Sequence, residues 1–144
     1  MSEQNNKETL TNEPDSLVRY GMSSLGALYL FSAGIHFASG NYPKMAADFV
    51  IAVGAGCTAI GNEQSSSVEA HKLQSIGTAM MSAGLAGDGA LSDDLIISVL
   101  DYVASASSLM ASVCQLSLYK DSKIQENEAK SVPLAPPQDR KSVV

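Results

Sequence analysis

The stretch PKMAADFVIAVGAGCTAIG (43–61) decides the fold. Its only charged residues, Lys44 and Asp48, lie near its start. It is too long for an ordinary strand, and Pro43 suits the first turn of a helix, where the missing N–H costs nothing. At about 1.5 Å per residue it reaches about 30 Å, the thickness of a bilayer's hydrocarbon core.

Three more apolar stretches surround it. SLVRYGMSSLGALYLFSAGIHFAS (16–39) precedes it, with Asp15 or Ser16 placed to cap a helix. SSVEAHKLQSIGTAMMSAGLAG (66–87) follows a serine run. SDDLIISVLDYVASASSLMASVCQLSLY (92–119) opens with Ser92 and two acids. Caps precede these stretches and glycine-rich breaks follow the first three, so all four read as helices. The fold class expected is all-α: four transmembrane helices in two tandem hairpins, about 16–39, 43–61, 66–87 and 92–119. A soluble four-helix bundle is the alternative. The polar flanks, 1–15 and 120–144, lack the apolar surface to offset backbone ordering and read as disordered tails.

The 144 residues make one domain, with 17% charged residues against about 25% in an ordinary soluble domain. A net charge of −6 argues against binding nucleic acid, which needs a basic surface. Two cysteines cannot build a disulfide scaffold. No apolar segment with a basic lead-in opens the chain, so no signal peptide is expected.

Hydropathy favours a membrane span for the second and fourth stretches and is weak for the first and third. The basic residues add a direction. With four spans and both tails on one side, Lys7, Arg19, Lys72, Lys120, Lys123, Lys130, Arg140 and Lys141 share that side, and Lys44 alone lies opposite. The positive-inside rule then puts the tails in the cytoplasm, with the protein in the inner or plasma membrane. Small residues in the stretches suit close helix approach in lipid, and Gly26, Gly34, Ala52, Gly56, Ala83 and Gly87 are the expected packing positions. In water, mid-helix glycines cost about 1 kcal/mol each relative to alanine.

An internal repeat supports two hairpins. Ser24-Leu25-Gly26 matches Ser75-Ile76-Gly77, and Ser32-Ala33-Gly34-Ile35 matches Ser82-Ala83-Gly84-Leu85. A second helix then opens with an acid, Asp48 or Asp94.

No catalytic residues, cofactor site or metal site are expected. His36 and His71 fall near opposite faces, and neither has a cysteine at ligand spacing. Cys57 and Cys114 read as small packing residues. Asp48, Asp93 and Asp94 read as carboxylates near helix starts, favoured by the helix dipole. Asp101 lies about two turns inside its helix, where a carboxylate in lipid needs a partner or water. Asp101, with His36 or Asp48 as partner, is therefore the candidate intramembrane polar site. VPLAPPQ (132–138) reads as a spacer or an extended ligand.

The functional expectation is a structural or accessory subunit of a larger membrane complex, not an enzyme. Its partners would be lipid and other membrane subunits or itself, with no small-molecule substrate identified. Proton or cation transport past an intramembrane Asp, a holin-like permeabilising role, and a soluble helical interaction or effector protein are the alternatives.

Overall fold

A computed structural model describes residues 13–131. Those residues form four helices, α1 (Glu13–Ala38), α2 (Tyr42–Gly61), α3 (Ser67–Ala90) and α4 (Leu95–Ser131), joined by short turns. The all-α expectation and the division into four helices hold. The helices pack in chain order: α1 on α2, α2 on α3, α3 on α4, while α1 and α4 make no close approach.

Local chemistry sets the ends. Asn41 caps α2, its side-chain oxygen accepting from the Lys44 N–H, and a proline occupies the first turn. Gly40, at φ +75°, makes the turn before it, a backbone angle costly for any residue with a Cβ. Asp94 caps α4 by accepting from the N–H groups of Ile96 and Ile97. Ser92 instead bonds within the turn, so the cap lies two residues beyond the serine that opened the stretch.

Two expectations about the ends are corrected. Residues 13–15 belong to α1, and 120–131 continue α4 as helix. The segment DSKIQENEAK (121–130) contains no glycine or proline and is rich in good helix formers, and Lys130 donates to Glu126 one turn back. Helix propagation from the packed part of α4 needs no tertiary burial, and Pro133 disfavours helix at the residue before it. The expected disorder of 1–12 and 132–144, and the proline-rich run, lie outside the described residues.

Two helices, α2 and α4, are long and apolar enough to cross a membrane; α1 and α3 are not by that measure. They differ in surroundings. Half of α2's apolar window is buried against neighbouring helices, but only 11% of α4's is.

The interior is unusual. Ile51 is the only large side chain fully buried among the described residues. Around it lie Ala55, Met81 and Leu85, with Met22, Leu25, Tyr29 and Ala104 at the margin. Elsewhere the buried positions are mostly alanine, glycine, serine and threonine. The large apolar side chains point outward instead: Leu28, Phe31 and Phe37 on α1, and Ile96, Leu100, Val103, Met110 and Val113 on α4, among others.

The small residues follow a seven-residue spacing. Ala47, Gly54 and Gly61 of α2 face Gly84, Gly77 and Ala70 of α3 in antiparallel register. At the centre, a Cβ on Gly77 would lie 2.5 Å from the Gly54 carbonyl oxygen, and a Cβ on Gly54 would lie 2.5 Å from that of Gly77. The same spacing joins α3 to α4 through hydroxyls. Ser98 Oγ donates to the Gly89 carbonyl at 2.8 Å, Ser105 Oγ to Ser82 at 2.8 Å, and Ser112 Oγ to Ser75 at 2.9 Å. A seven-residue repeat keeps one face of each helix toward its partner along the whole contact.

That register revises the packing positions expected from sequence. Gly26, Ala52 and Gly56 do meet at the α1–α2 contact: a Cβ on Gly26 would lie 3.3 Å from the Ala52 carbonyl oxygen. Gly87 faces Ala47 across α2–α3. Gly34 and Ala83 are corrected, because both are exposed and nothing lies within 4 Å of a Cβ on Gly34. Small size alone suggests both, whereas α2 and α3 meet along rows of small residues seven apart.

Candidate functional site

The candidate site forms where the C-terminal ends of α1 and α3 meet the first turns of α2 and α4. His36 lies in the last turn of α1. Asp48 is the seventh residue of α2, too deep to act as a first-turn carboxylate, and α2 has no acid in its first turn. Its expected dipole role is therefore corrected, while Asp94 fills that role for α4. Asp101 occupies the same seventh position in α4. The local sequences agree: Asp48-Phe49-Val50 corresponds to Asp101-Tyr102-Val103. The acid that repeats between hairpins is Asp101, not Asp94.

Of the residues singled out from sequence, the structure pairs His36 with Asp48, while Asp101 shares with them only the electrostatic reach of Asp88 and Tyr29. His36 Nε2 stands 3.7 Å from Asp48 Oδ2. Asp48 is only 2% exposed, whereas the His36 side chain is 28% exposed. Asp88 of α3 lies within electrostatic reach of His36, Lys44, Asp48 and Asp101, and Tyr29 of α1 within reach of all three acids. The end therefore gathers three carboxylates, one lysine, one imidazole and one phenol from four helices.

Two of these carboxylates are incompletely satisfied. Asp48 Oδ2 and Asp101 Oδ2 are both buried and neither accepts a hydrogen bond. Buried polar atoms are almost always paired, so two orphans at one end of one bundle need a reason. Asp101 packs against Gly89, where an added Cβ would lie 3.1 Å from Asp101 Cβ.

Asp88 and Tyr29 were not singled out as site members from sequence. The third stretch is expected to end at residue 87, one short of Asp88, yet α3 continues through Ala90 and carries it onto the cluster. Tyr29 lies seven residues before His36 in α1, so helical spacing alone puts the two on one face.

Among the described residues, no group of three or more His, Cys, Asp or Glu is arranged to hold a metal ion. The arrangement can instead bind and release protons, and its charge favours cations.

No protein family, characterised protein or solved structure matches the chain. The reading therefore rests on its own geometry.

The opposite end is polar in a different way. Arg19 pairs with Glu63 at 3.3 Å, His71 Nδ1 lies 2.8 Å from Gln115 Oε1, and Gln74 donates to Asn62. His71 is thus held by an amide and stands well apart from His36 along α3. Cys57 is partly buried and Cys114 exposed, and both are free thiols.

Proposed function

We propose that this chain is an integral membrane protein in which all four helices cross the bilayer, and that it acts by lateral association as a structural or accessory subunit. One observation carries the reading: the residue distribution is the reverse of a water-soluble bundle. Large apolar groups cover the outside of α1 and α4, while the inside is alanine, glycine and hydroxyl groups. In water, the hydrophobic effect would drive Leu28, Phe31, Leu100 and Met110 inward. In lipid that drive vanishes between helices, and close contact plus interhelical hydrogen bonds take over.

This reading accounts for α3, a weak span by composition: its Ser75, Gly77, Thr78, Ser82, Gly84 and Gly89 are buried against neighbouring helices, so average hydropathy understates the apolar character of what faces outward. Among the glycines and hydroxyls of α1 only Gly26 is buried in this way, and Gly21, Ser23, Ser24 and Gly34 are exposed beside Leu28, Leu30 and Phe31. The membrane reading also accounts for the basic residues. Arg19, Lys72, Lys120 and Lys123 flank one end, with Lys44 at the other, a distribution that supports an orientation with both chain ends on the cytoplasmic side of an inner or plasma membrane.

Association as the mode of action is supported by the shape of α4. It has only two buried residues, Ser105 and Ser112, in 37. Its outer face offers a long apolar surface to other membrane segments or a second copy.

The test is extraction followed by sizing. Membranes containing the protein are treated with alkaline carbonate, then dissolved in mild detergent and run on a native gel. The expected result is retention in the pellet and migration as a complex larger than one chain. Release into the supernatant would overturn the membrane reading. Retention with strictly monomeric migration would overturn the association reading alone.

A further inference from the structure

We propose that His36 and Asp48 form a proton-binding site, which takes up one proton from the water at its end of the bundle and holds it between ring and carboxylate. The site lies within one chain, so it stands whether lipid or another protein covers the outside.

The geometry separates entry from storage. His36 is part-exposed at the end of α1, and Asp48 is 2% exposed within α2. Asp48 Oδ2 accepts no hydrogen bond, and His36 Nε2 stands 3.7 Å from it. That is about 0.8 Å beyond an ordinary N–H···O contact, a gap a small rotation of the ring closes. Hydronium gives its proton to the Nε2 lone pair and leaves as water. The new N–H then faces Oδ2, and the proton is shared across the pair, whose charge changes from −1 to zero.

Asp88 from α3 lies within electrostatic reach of both His36 and Asp48, and Tyr29 from α1 within reach of Asp48; Lys44 from α2 and Asp101 from α4 lie within reach of Asp88. Two further carboxylates against one lysine attract a positive charge. A neutral pair also removes the cost of a buried carboxylate with an unpaired oxygen. Among the described residues, no third His, Cys, Asp or Glu joins the pair in a metal-ligand arrangement.

The experiment counts protons. The full-length chain is prepared in phosphatidylcholine–phosphatidylglycerol vesicles and, separately, in detergent micelles. Acid pulses are followed with an indicator dye for wild type, His36→Gln, Asp48→Asn, the double variant and the loop control Asp93→Asn. Each single site variant is expected to lose the same one-proton uptake within the pH range where wild type shows it. The double variant loses no more than either single, and the control loses nothing. Additive losses, or none, overturn the proposal. Should the variants fail to fold, carbon and nitrogen NMR of wild type still decides. The Asp48 carboxyl and His36 ring must respond together on titration, as coupled sites do, and unrelated responses overturn the pairing. Vesicle flotation on the same samples reports the membrane reading separately.

Discussion

Ser105 Oγ donates to the Ser82 carbonyl at 2.8 Å, joining α4 to α3 at the middle of a ladder of three such contacts. Ser82 Oγ lies 3.2 Å from Ser105 Oγ, a second hydrogen-bond contact between the same two residues. Interhelical hydroxyl bonds in membrane proteins average about 0.6 kcal/mol, with the strongest near 1.7 kcal/mol. Ser105→Ala is expected to cost about 0.6 to 1 kcal/mol. Ser82→Ala is expected to cost less, because the main-chain acceptor remains. Reversible unfolding in mixed micelles measures both. A larger loss for Ser82→Ala would mean the ladder is not held by the bonds drawn.

The ladder partners lie seven residues apart, so the sites are distant enough to act independently. Ser105→Ala and Ser112→Ala are expected to add to within about 0.5 kcal/mol. A double variant no less stable than Ser105→Ala would show that the rungs fail together.

The glycine contact makes a sharper prediction. A Cβ on Gly77 would meet the Gly54 carbonyl oxygen at 2.5 Å, and that neighbour is backbone, which cannot move aside alone. Gly77→Ala is expected to push α2 and α3 apart and cost about 1 to 3 kcal/mol, the range for overpacked interiors. Gly34→Ala, with open space around it, should be neutral or stabilise by up to about 1 kcal/mol through its better helix propensity. Equal destabilisation by the two would mean that the seven-residue register is wrong.

The contrast between these glycines shows what was legible in the sequence. The four helices were legible because their apolar runs are long and breaks such as Gly40–Asn41 and Ser92–Asp94 carry turn and cap chemistry. Gly26, Ala52 and Gly56 were legible for the same compositional reason. Gly34 and Ala83 misled because a chain rich in small residues offers pairs at every spacing, and only packing selects which row is used. His36, Asp48 and Asp101 stood out because ionisable groups are sparse in apolar helices. Asp88 and Tyr29 did not, since the first depends on how far α3 runs and the second on which face of α1 is turned inward. The extension 120–131 was hidden because solvent-exposed helix needs only propensity and side-chain pairs, not the apolar content that separates cores from tails.

That extension has its own pH signature. The hydrogen bond from Lys130, then its charge, holds the Glu126 carboxyl below its usual range. A carboxylate whose folded value is lowered stabilises the helix above its unfolded value, and the contribution is lost as pH falls through the folded one. Residues 120–131 should therefore lose helicity on acidification through the carboxylate range, and Glu126→Gln should remove that dependence. Residue-specific NMR shifts measure it. An unchanged pH response in Glu126→Gln would assign it to another group.

Topology provides the widest test, because it bears on the order of all four helices. With Cys57 and Cys114 replaced by serine, single cysteines are introduced at Asn41, Ser66, Ser92 and Ser122. Ser92 is preferable to the neighbouring Gly89, which is buried against Asp101. In intact cells, a membrane-impermeant maleimide is expected to label Asn41→Cys and Ser92→Cys, and to reach Ser66→Cys and Ser122→Cys only after the membrane is opened. The two labelled turns flank the end that carries His36 and Asp48, so the same pattern places that end on the outer side. Labelling of Ser66→Cys in intact cells would break the antiparallel crossing of α2 and α3. Labelling of none of the four until lysis would mean that no turn reaches the outer side.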